Sequence, residues 1–414
     1  MNPKKEVYLD YAATSPVADE VLGAMEPYFS VHFGNPSSIY SRGLEARTAV
    51  GESRKTIASF LGTTADTIFF MSGGTESINT AIFGAARKHK EYGNHIITTA
   101  IEHKAVLNSL KALEKEGFEV TYLPVDKHGL VTAQQIMGAI TNKTLLISIM
   151  YANNEIGSIE PIADIGKEIL KFKKHNESIY PLFHTDACQA TNYLDMHVEK
   201  LHADLLSFNG SKMNGPKGCG VLYMRRGVKI EQMIYGGSQE FGFRAGTEDV
   251  PSIVGMAKAV ELIMQNGEKN ANKVRKLRDY FWEETQRAVP KIMLNGPALE
   301  DTDKRLPNNL HISILDIEGE ALLLYLDEKG IMCSTGSACN SSSLEPSHVL
   351  TECGLPYEYA HGTLRFTLGA STTKEEIDYV IDHLPGVVEK LRKMSPVNLE
   401  IDHTDNTHAQ YHQK

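Results

Sequence analysis

The residues best able to do chemistry in this chain stand in loops that follow apolar runs. Lys212 lies in the glycine-rich stretch 209–220, Asn-Gly-Ser-Lys-Met-Asn-Gly-Pro-Lys-Gly-Cys-Gly, directly behind the small hydroxyl residue Ser211. A lysine held this way can form a Schiff base with a carbonyl cofactor. By itself, a solvated surface lysine is the simpler reading. The glycines do not make a dinucleotide fingerprint, because a strand-like run, 221–225, follows instead of a helix. A P-loop is excluded by the absence of Gly-Lys-Ser/Thr.

A second segment, Met71-Ser72-Gly73-Gly74-Thr75-Glu76-Ser77, joins a strand-like run at 67–70 to a helical pattern at 78–88. Glycines allow close backbone approach, and a helix N-terminus offers free N–H groups to an anion. The segment reads as a phosphate cradle built on Gly74 and Thr75, or equally as an ordinary N-capped turn. Three further polar clusters close apolar runs: Glu102-His103-Lys104, Asn153-Asn154-Glu155, and His184-Thr185-Asp186-Ala187-Cys188-Gln189. Open parallel sheets bind ligands outside the carboxyl ends of their strands, so polar residues recurring there outweigh any single one. Finally, Cys339 stands in the small polar run 333–343, which lacks periodicity and predicts an exposed loop. Cysteine is usually a small core residue. An exposed free thiol invites side reactions unless it is used, which favours function here. Cys333, behind Ile331-Met332, is expected to be buried. A zinc site is not expected, because no C-x-x-C pair occurs.

The elements that must position these residues follow from the apolar pattern. Strand-like runs at 67–70, 95–99, 119–123, 144–151, 180–185 and 204–208 alternate with helical patterns such as 162–175. This predicts an α/β fold with a largely parallel sheet covered on both faces. A helical stretch follows Pro251, with Ile253, Met256, Val260, Ile263 and Met264 at helical steps, and Val274, Leu277 and Phe281 resume the pattern after 267–272. Beyond it, strands at 310–314 and 363–368, a helix at 318–328, and a last helix capped by Thr373 and Glu376 predict a smaller α+β unit. The expected division is a large domain at 15–260 and a small domain formed by 1–14 and 261–395. A polar tail at 396–414 follows; its His403, His408 and His412 read as tail residues rather than metal ligands.

Composition narrows the function classes. The 414 residues carry 42 Lys+Arg against 52 Asp+Glu, a net charge of −10, which argues against a nucleic-acid backbone as the main partner. Mean hydropathy is −0.26 and no apolar run reaches membrane-spanning length, so no membrane span is expected. No signal peptide is expected either, because no apolar stretch follows the first lysines. Five cysteines without paired spacing are not a disulfide framework, and the expected compartment is a reducing cytoplasm.

Taken together, these segments resemble the cysteine desulfurases of the NifS/IscS type, pyridoxal-phosphate enzymes of fold type I. The resemblance runs from Val7-Tyr8-Leu9-Asp10-Tyr11 to about Lys393. It rests on Phe33-Gly34-Asn35-Pro36-Ser37-Ser38, Ser-Gly-Gly-Thr-Glu-Ser, Asn-Asn-Glu-Ile-Gly, Gly-Pro-Lys-Gly and Arg244-Ala245-Gly246-Thr247. Ser337-Ala338-Cys339 followed by Leu344-Glu345-Pro346-Ser347 resembles the long-loop branch. It implies a mostly parallel seven-stranded sheet sandwiched by helices in the large domain.

The resemblance also implies roles. Lys212 forms the Schiff base with pyridoxal 5'-phosphate, Asp186 pairs with its pyridine nitrogen, and His103 stacks on the ring and moves protons. Gln189 and Asn154 lie near the ring's phenolic oxygen. Gly74, Thr75 and Ser211 hold the phosphate, with Thr247 reaching it from the partner of a homodimer. Arg365 takes the substrate carboxylate, assisted by Asn35 and Asn154. Cys339 attacks the sulfur of L-cysteine, giving L-alanine and a persulfide destined for a protein acceptor in iron–sulfur assembly or tRNA thiolation. Two departures from the usual pattern are Ser211, where many relatives have histidine, and Asn209, where they have serine. Selenocysteine lyase on the same scaffold is the neighbouring reading, separable by rates on the two amino acids. A catalytically silent partner-binding subunit is the alternative from another class, and the retention of Lys212, Asp186, His103, Arg365 and Cys339 together opposes it.

Overall fold

The structure, a computed structural model, describes residues 5–335 and 346–395; Cys339 and the tail 396–414 lie outside the described residues. After β1 (Val7–Tyr8), seven strands build the central sheet: β2 (Ile68–Met71), β3 (His95–Thr99), β4 (Glu119–Leu123), β5 (Thr144–Ser148), β6 (Leu182–Asp186), β7 (Leu205–Asn209) and β8 (Gly220–Met224). Their spatial order is β2-β8-β7-β6-β5-β3-β4, and β8 alone runs against the others.

The continuous apolar runs follow from burial on both faces. Successive strand side chains point to opposite sides. Ile97, Ile147, Phe183 and Leu206 enter one core, and their neighbours Ile96, Leu146, Leu182 and Leu205 enter the other. The second core is closed by the helices Gly74–Lys88 and Lys104–Lys115, through Ile78, Ile82, Val106 and Leu110. The first is closed by Ser41–Phe60, Ile162–His175 and the start of a 39-residue helix, Val250–Ala288.

That long helix runs unbroken through 267–272. Its Ile253, Met256 and Val260 pack in the first core, and its Val274 and Phe281 pack in a separate one. The separate core also holds β9 (Ile292–Leu294), β10 (Asn309–Ile314) and β12 (Thr363–Thr367), an antiparallel sheet ordered β12-β10-β9, and the parallel pair of β1 with β11 (Ile331–Met332). The closing helix Lys374–Met394 begins with the expected capping box between Thr373 and Glu376. Among the described residues, no helix is long and apolar enough to cross a membrane.

One consequence of the sheet positions the site. β2, β3, β5, β6 and β7 run in the same direction, so their carboxyl ends, and every polar cluster that follows them, meet along one edge.

Candidate active site

A cleft of about 470 Å³ opens at that edge, and it is lined by Gly74, Thr75, His103, Asn154, Asp186, Gln189, Ser211 and Lys212. Eight residues singled out from five separate segments therefore meet in one place. Asn35 and Thr247 do not line the cleft and are exposed on this single chain. Asn35 Oδ1 accepts from Ser37 N–H at 2.9 Å. Arg365 lies next to the cleft, its Nη1 donating to Asn154 O at 2.9 Å.

The helix Gly74–Lys88 starts four residues earlier than its apolar pattern suggests, which places Gly74 and Thr75 in its first turn. The N–H groups of a first turn have no acceptor within the helix and carry the positive end of its dipole. The turn is braced by Glu76, whose Oε2 accepts from Ser72 N–H at 2.6 Å and whose Oε1 accepts from Arg244 Nε at 2.9 Å. Burial opposes charge on Glu76, but Arg244 and Ser72 outweigh it and hold the carboxyl below its ordinary pKa.

Asp186 ends β6 and is buried, its Oδ1 accepting from Cys188 N–H at 3.0 Å. Lys212 closes the single turn Gly210–Lys212 after β7. Its carbonyl is held by Asn192 Nδ2 at 2.7 Å, while its ammonium has no partner among the described residues. Lys217, the other lysine of the loop, is engaged, donating to Ser15 O at 2.6 Å. Ser211 Oγ donates to Asn209 Oδ1 at 3.1 Å, and Gln189 Nε2 donates to Ala12 O at 3.0 Å.

His103 caps the helix Lys104–Lys115, its Nδ1 accepting from Ala105 N–H at 3.1 Å. A ring nitrogen that accepts carries no proton, so the neutral tautomer has its N–H on Nε2. Burial lowers the imidazole pKa, and attraction to Asp186 only partly restores it. Glu102 beside it is fully buried, with Oε1 accepting from Thr99 Oγ1 and Met150 N–H, both at 2.8 Å. Burial drives this carboxyl well above its ordinary pKa, helped by repulsion from Asp186.

The residues present fit pyridoxal phosphate. A side chain at Gly73 would project into open space, with nothing within 4 Å of its Cβ, so glycine there leaves the cradle above the helix N-terminus empty. At Gly74 the opposite holds, since a Cβ would come within 2.8 Å of both Asn209 Nδ2 and Cys188 Sγ. Backbone N–H groups and hydroxyls suit a phosphate, a lysine amine without a competing partner suits an aldehyde, and a buried carboxylate suits a protonated pyridine.

Sequence reasoning missed three features. Asp10 Oδ1 accepts from Arg365 Nη2 at 2.7 Å, a pairing across 355 residues that has no local signal. Arg244 braces Glu76 in the first turn of the helix Gly74–Lys88, a contact that its Arg-Ala-Gly-Thr motif does not signal. Cys333 is half-buried rather than fully enclosed; it packs against the small-domain core, and burial pushes its thiol pKa up. Among the described residues no cluster of ligands for a metal ion occurs.

Residues 7–380 match the aminotransferase class-V family. The chain is 50% identical over 397 residues to a protein of Dictyoglomus turgidum named cysteine desulfurase IscS, covering 96% of this chain and 98% of that one. It is 52% identical over 393 residues to the Methanosarcina thermophila protein of the same name, covering 95% and 94%. Among solved structures, a NifS-like protein superposes with a TM-score of 0.86 at 36% identity, covering 94% of this chain and all of that one. The structure described as SspA in complex with cysteine superposes with a TM-score of 0.77 at 37% identity, covering 89% and 100%. A single cleft with a free lysine, a buried aspartate and a phosphate-ready helix thus accompanies likeness over nearly the whole chain, and the chain belongs to the aminotransferase class-V family, in its branch of NifS/IscS-type cysteine desulfurases.

Proposed function

We propose that this protein removes sulfur from L-cysteine with pyridoxal phosphate, releasing L-alanine and leaving a persulfide on Cys339. The observation that carries this reading is the unpartnered ammonium of Lys212 in a cleft shared with Asp186, His103 and the first turn at Gly74. Bound pyridoxal phosphate supplies an electron sink for the charge left when the substrate loses its Cα proton. Lys212 would hold the cofactor through its carbonyl carbon and would accept that proton at Nζ. Asp186 would keep the pyridine nitrogen protonated, and Gln189 and Asn154 would serve the ring oxygen. Gly74, Thr75 and Ser211 would hold the phosphate, joined by Thr247 of a second copy of the chain. His103 would stack on the ring and pass protons.

Arg365 is the group for the substrate carboxylate, where a planar guanidinium offers paired donors. A carboxylate arriving there competes with Asp10 for Nη2 or takes the buried Nε, which has no partner among the described residues. Asn35 and Asn154 are the residues proposed to assist Arg365. The persulfide then passes to a protein acceptor serving iron–sulfur assembly or thiolation. Intact-protein mass before and after L-cysteine, without reductant, followed by peptide mapping, tests the reading. One added sulfur on the Cys339 peptide with alanine released supports it; a normal cofactor spectrum with no added sulfur rejects it.

A further inference from the structure

Both flanks of the segment that contains Cys339 are tied to residues that border the cleft. Upstream, Ser334 N–H donates to Arg365 O at 3.1 Å and Arg365 N–H donates back, an antiparallel bridge. Downstream, the Ser347 hydroxyl donates to Glu155 Oε2 and accepts from Val349 N–H at 3.1 Å. The next residue, His348, donates from Nε2 to Glu102 O at 3.1 Å. Glu155 directly follows Asn154, and Glu102 directly precedes His103. The downstream anchor is therefore built on the two loops that present cleft residues.

Glu155 is a firm post. Its N–H donates to Asn153 Oδ1 at 2.8 Å and its carbonyl accepts from Asn309 Nδ2 at 2.7 Å. Its carboxyl is buried, and a carboxyl is costly to bury without a partner. Ser347 supplies that partner, yet Glu155 has no part in binding the cofactor or the substrate in the scheme above. Cys339 lies five residues beyond Ser334 and eight before Ser347.

We propose that Glu155 is a positioning residue for sulfur transfer: by holding Ser347 it sets the downstream root of the Cys339 segment against the loop that presents Asn154. This rests on the reading of Cys339 as sulfur acceptor. In that step the Cys339 thiolate attacks the sulfur of cysteine, forming an S–S bond as the Cβ–S bond breaks. The electron pair of the broken bond stays with the three-carbon skeleton. Cβ takes up a proton, balancing the one lost by Cys339, and the skeleton leaves as L-alanine. Glu155 touches none of these atoms and acts through Ser347.

The test compares Ser347→Ala, Ser347→Thr, Glu155→Ala and Glu155→Gln as cofactor-loaded enzymes, with Cys339→Ser alongside. The readouts are visible cofactor absorption, KM for cysteine, and the single-turnover rate of persulfide formation by mass. Ser347→Ala is expected to keep the absorption and hold KM within about twofold while slowing persulfide formation about tenfold or more. Ser347→Thr and Glu155→Gln, which can still pair, should recover most of that rate, and Glu155→Ala should not. Wild-type persulfide formation by Ser347→Ala would overturn the inference, as would a rate loss matched by equal loss of cofactor absorption. If Cys339→Ser still acquires sulfur at the wild-type rate, the underlying reading fails instead, so the two failures are separable.

Discussion

Arg365 Nη2 and Asp10 Oδ1 are 2.7 Å apart, joining β12 of the small antiparallel sheet to the second residue past β1. The guanidinium side chain is 4% exposed, and its other terminal nitrogen is taken by Asn154 O. Three distant segments thus aim one cation at the side of the cleft. Burying an arginine is unfavourable unless its charge is matched, and here Asp10 matches it.

Arg365→Lys is accordingly expected to be far from conservative. Lysine carries the charge but lacks the planar fork that reaches Asp10, Asn154 and an incoming carboxylate at once. Losing one charge-assisted hydrogen bond of about 2 kcal/mol corresponds to roughly a 30-fold rise in KM for cysteine, with cofactor absorption retained. Steady-state kinetics with cysteine checks this. An unchanged KM would remove Arg365 from the substrate site.

The large sheet was legible because its strands are buried on both faces, so that apolar runs mark them directly, and the polar clusters at 102–104, 153–155 and 184–189 then marked its carboxyl edge. Boundaries shifted by a few residues where ladder bonds stop before the apolar run does, as at β5, which ends at Ser148 although Ile149 and Met150 are buried. The start of the helix Gly74–Lys88 is not legible because its first turn is glycine, threonine, glutamate and serine, which carry no apolar period. What remained hidden was long-range pairing. Asp10 with Arg365, Glu76 with Arg244 and Glu155 with Ser347 are far apart in sequence, and only the folded chain brings them together.

The two lysines of the glycine-rich loop separate cleanly. Lys212 presents a free ammonium to the cleft, whereas Lys217 is spent on Ser15 O. Lys212→Ala should abolish both the visible absorption of a covalently held cofactor and turnover. Lys217→Ala should keep the absorption and lose some stability, about 1 kcal/mol for one hydrogen bond to a charged group near the surface. Absorption spectra and thermal denaturation of the two variants decide it, and a Lys212→Ala protein with wild-type absorption would displace the assignment.

Glu160 makes the fold sensitive to alkali. Its Oε2 accepts from Val131 N–H at 3.0 Å, while Oε1 is buried without a partner among the described residues. Burial, with repulsion from Asp126, pushes its pKa up from 4.5 to about 8. As pH rises the unfolded chain loses this proton first, so the folded state binds more protons between about 4.5 and about 8. Stability falls across that window. Glu155, pushed up to about 7, contributes with the same sign. Glu160→Gln removes one of these groups, and denaturant titrations from pH 5 to 9 should show a shallower decline than wild type. An equal slope in both proteins would mean that Glu160 is not the titrating group.

His103 is expected to set the acid limit of catalysis. Burial lowers its imidazole pKa, attraction to Asp186 opposes this, and Lys212, His348 and Lys104 lower it further. Protonating the ring places a second proton on Nδ1, which breaks the cap to Ala105 N–H and leaves a ring that can take up no further proton. The ring therefore works above its lowered pKa, and kcat/KM should hold level through neutrality and fall only as pH drops below 6.5. His103→Gln can still accept a hydrogen bond but cannot take up a proton. It should keep the cofactor, lose about 100-fold in rate, and lose this acid limb. The profile is read from kcat/KM between pH 5 and 8.5 for both proteins. A variant that retains the limb would assign it to another group, and the proton-transfer role of His103 would fall with it.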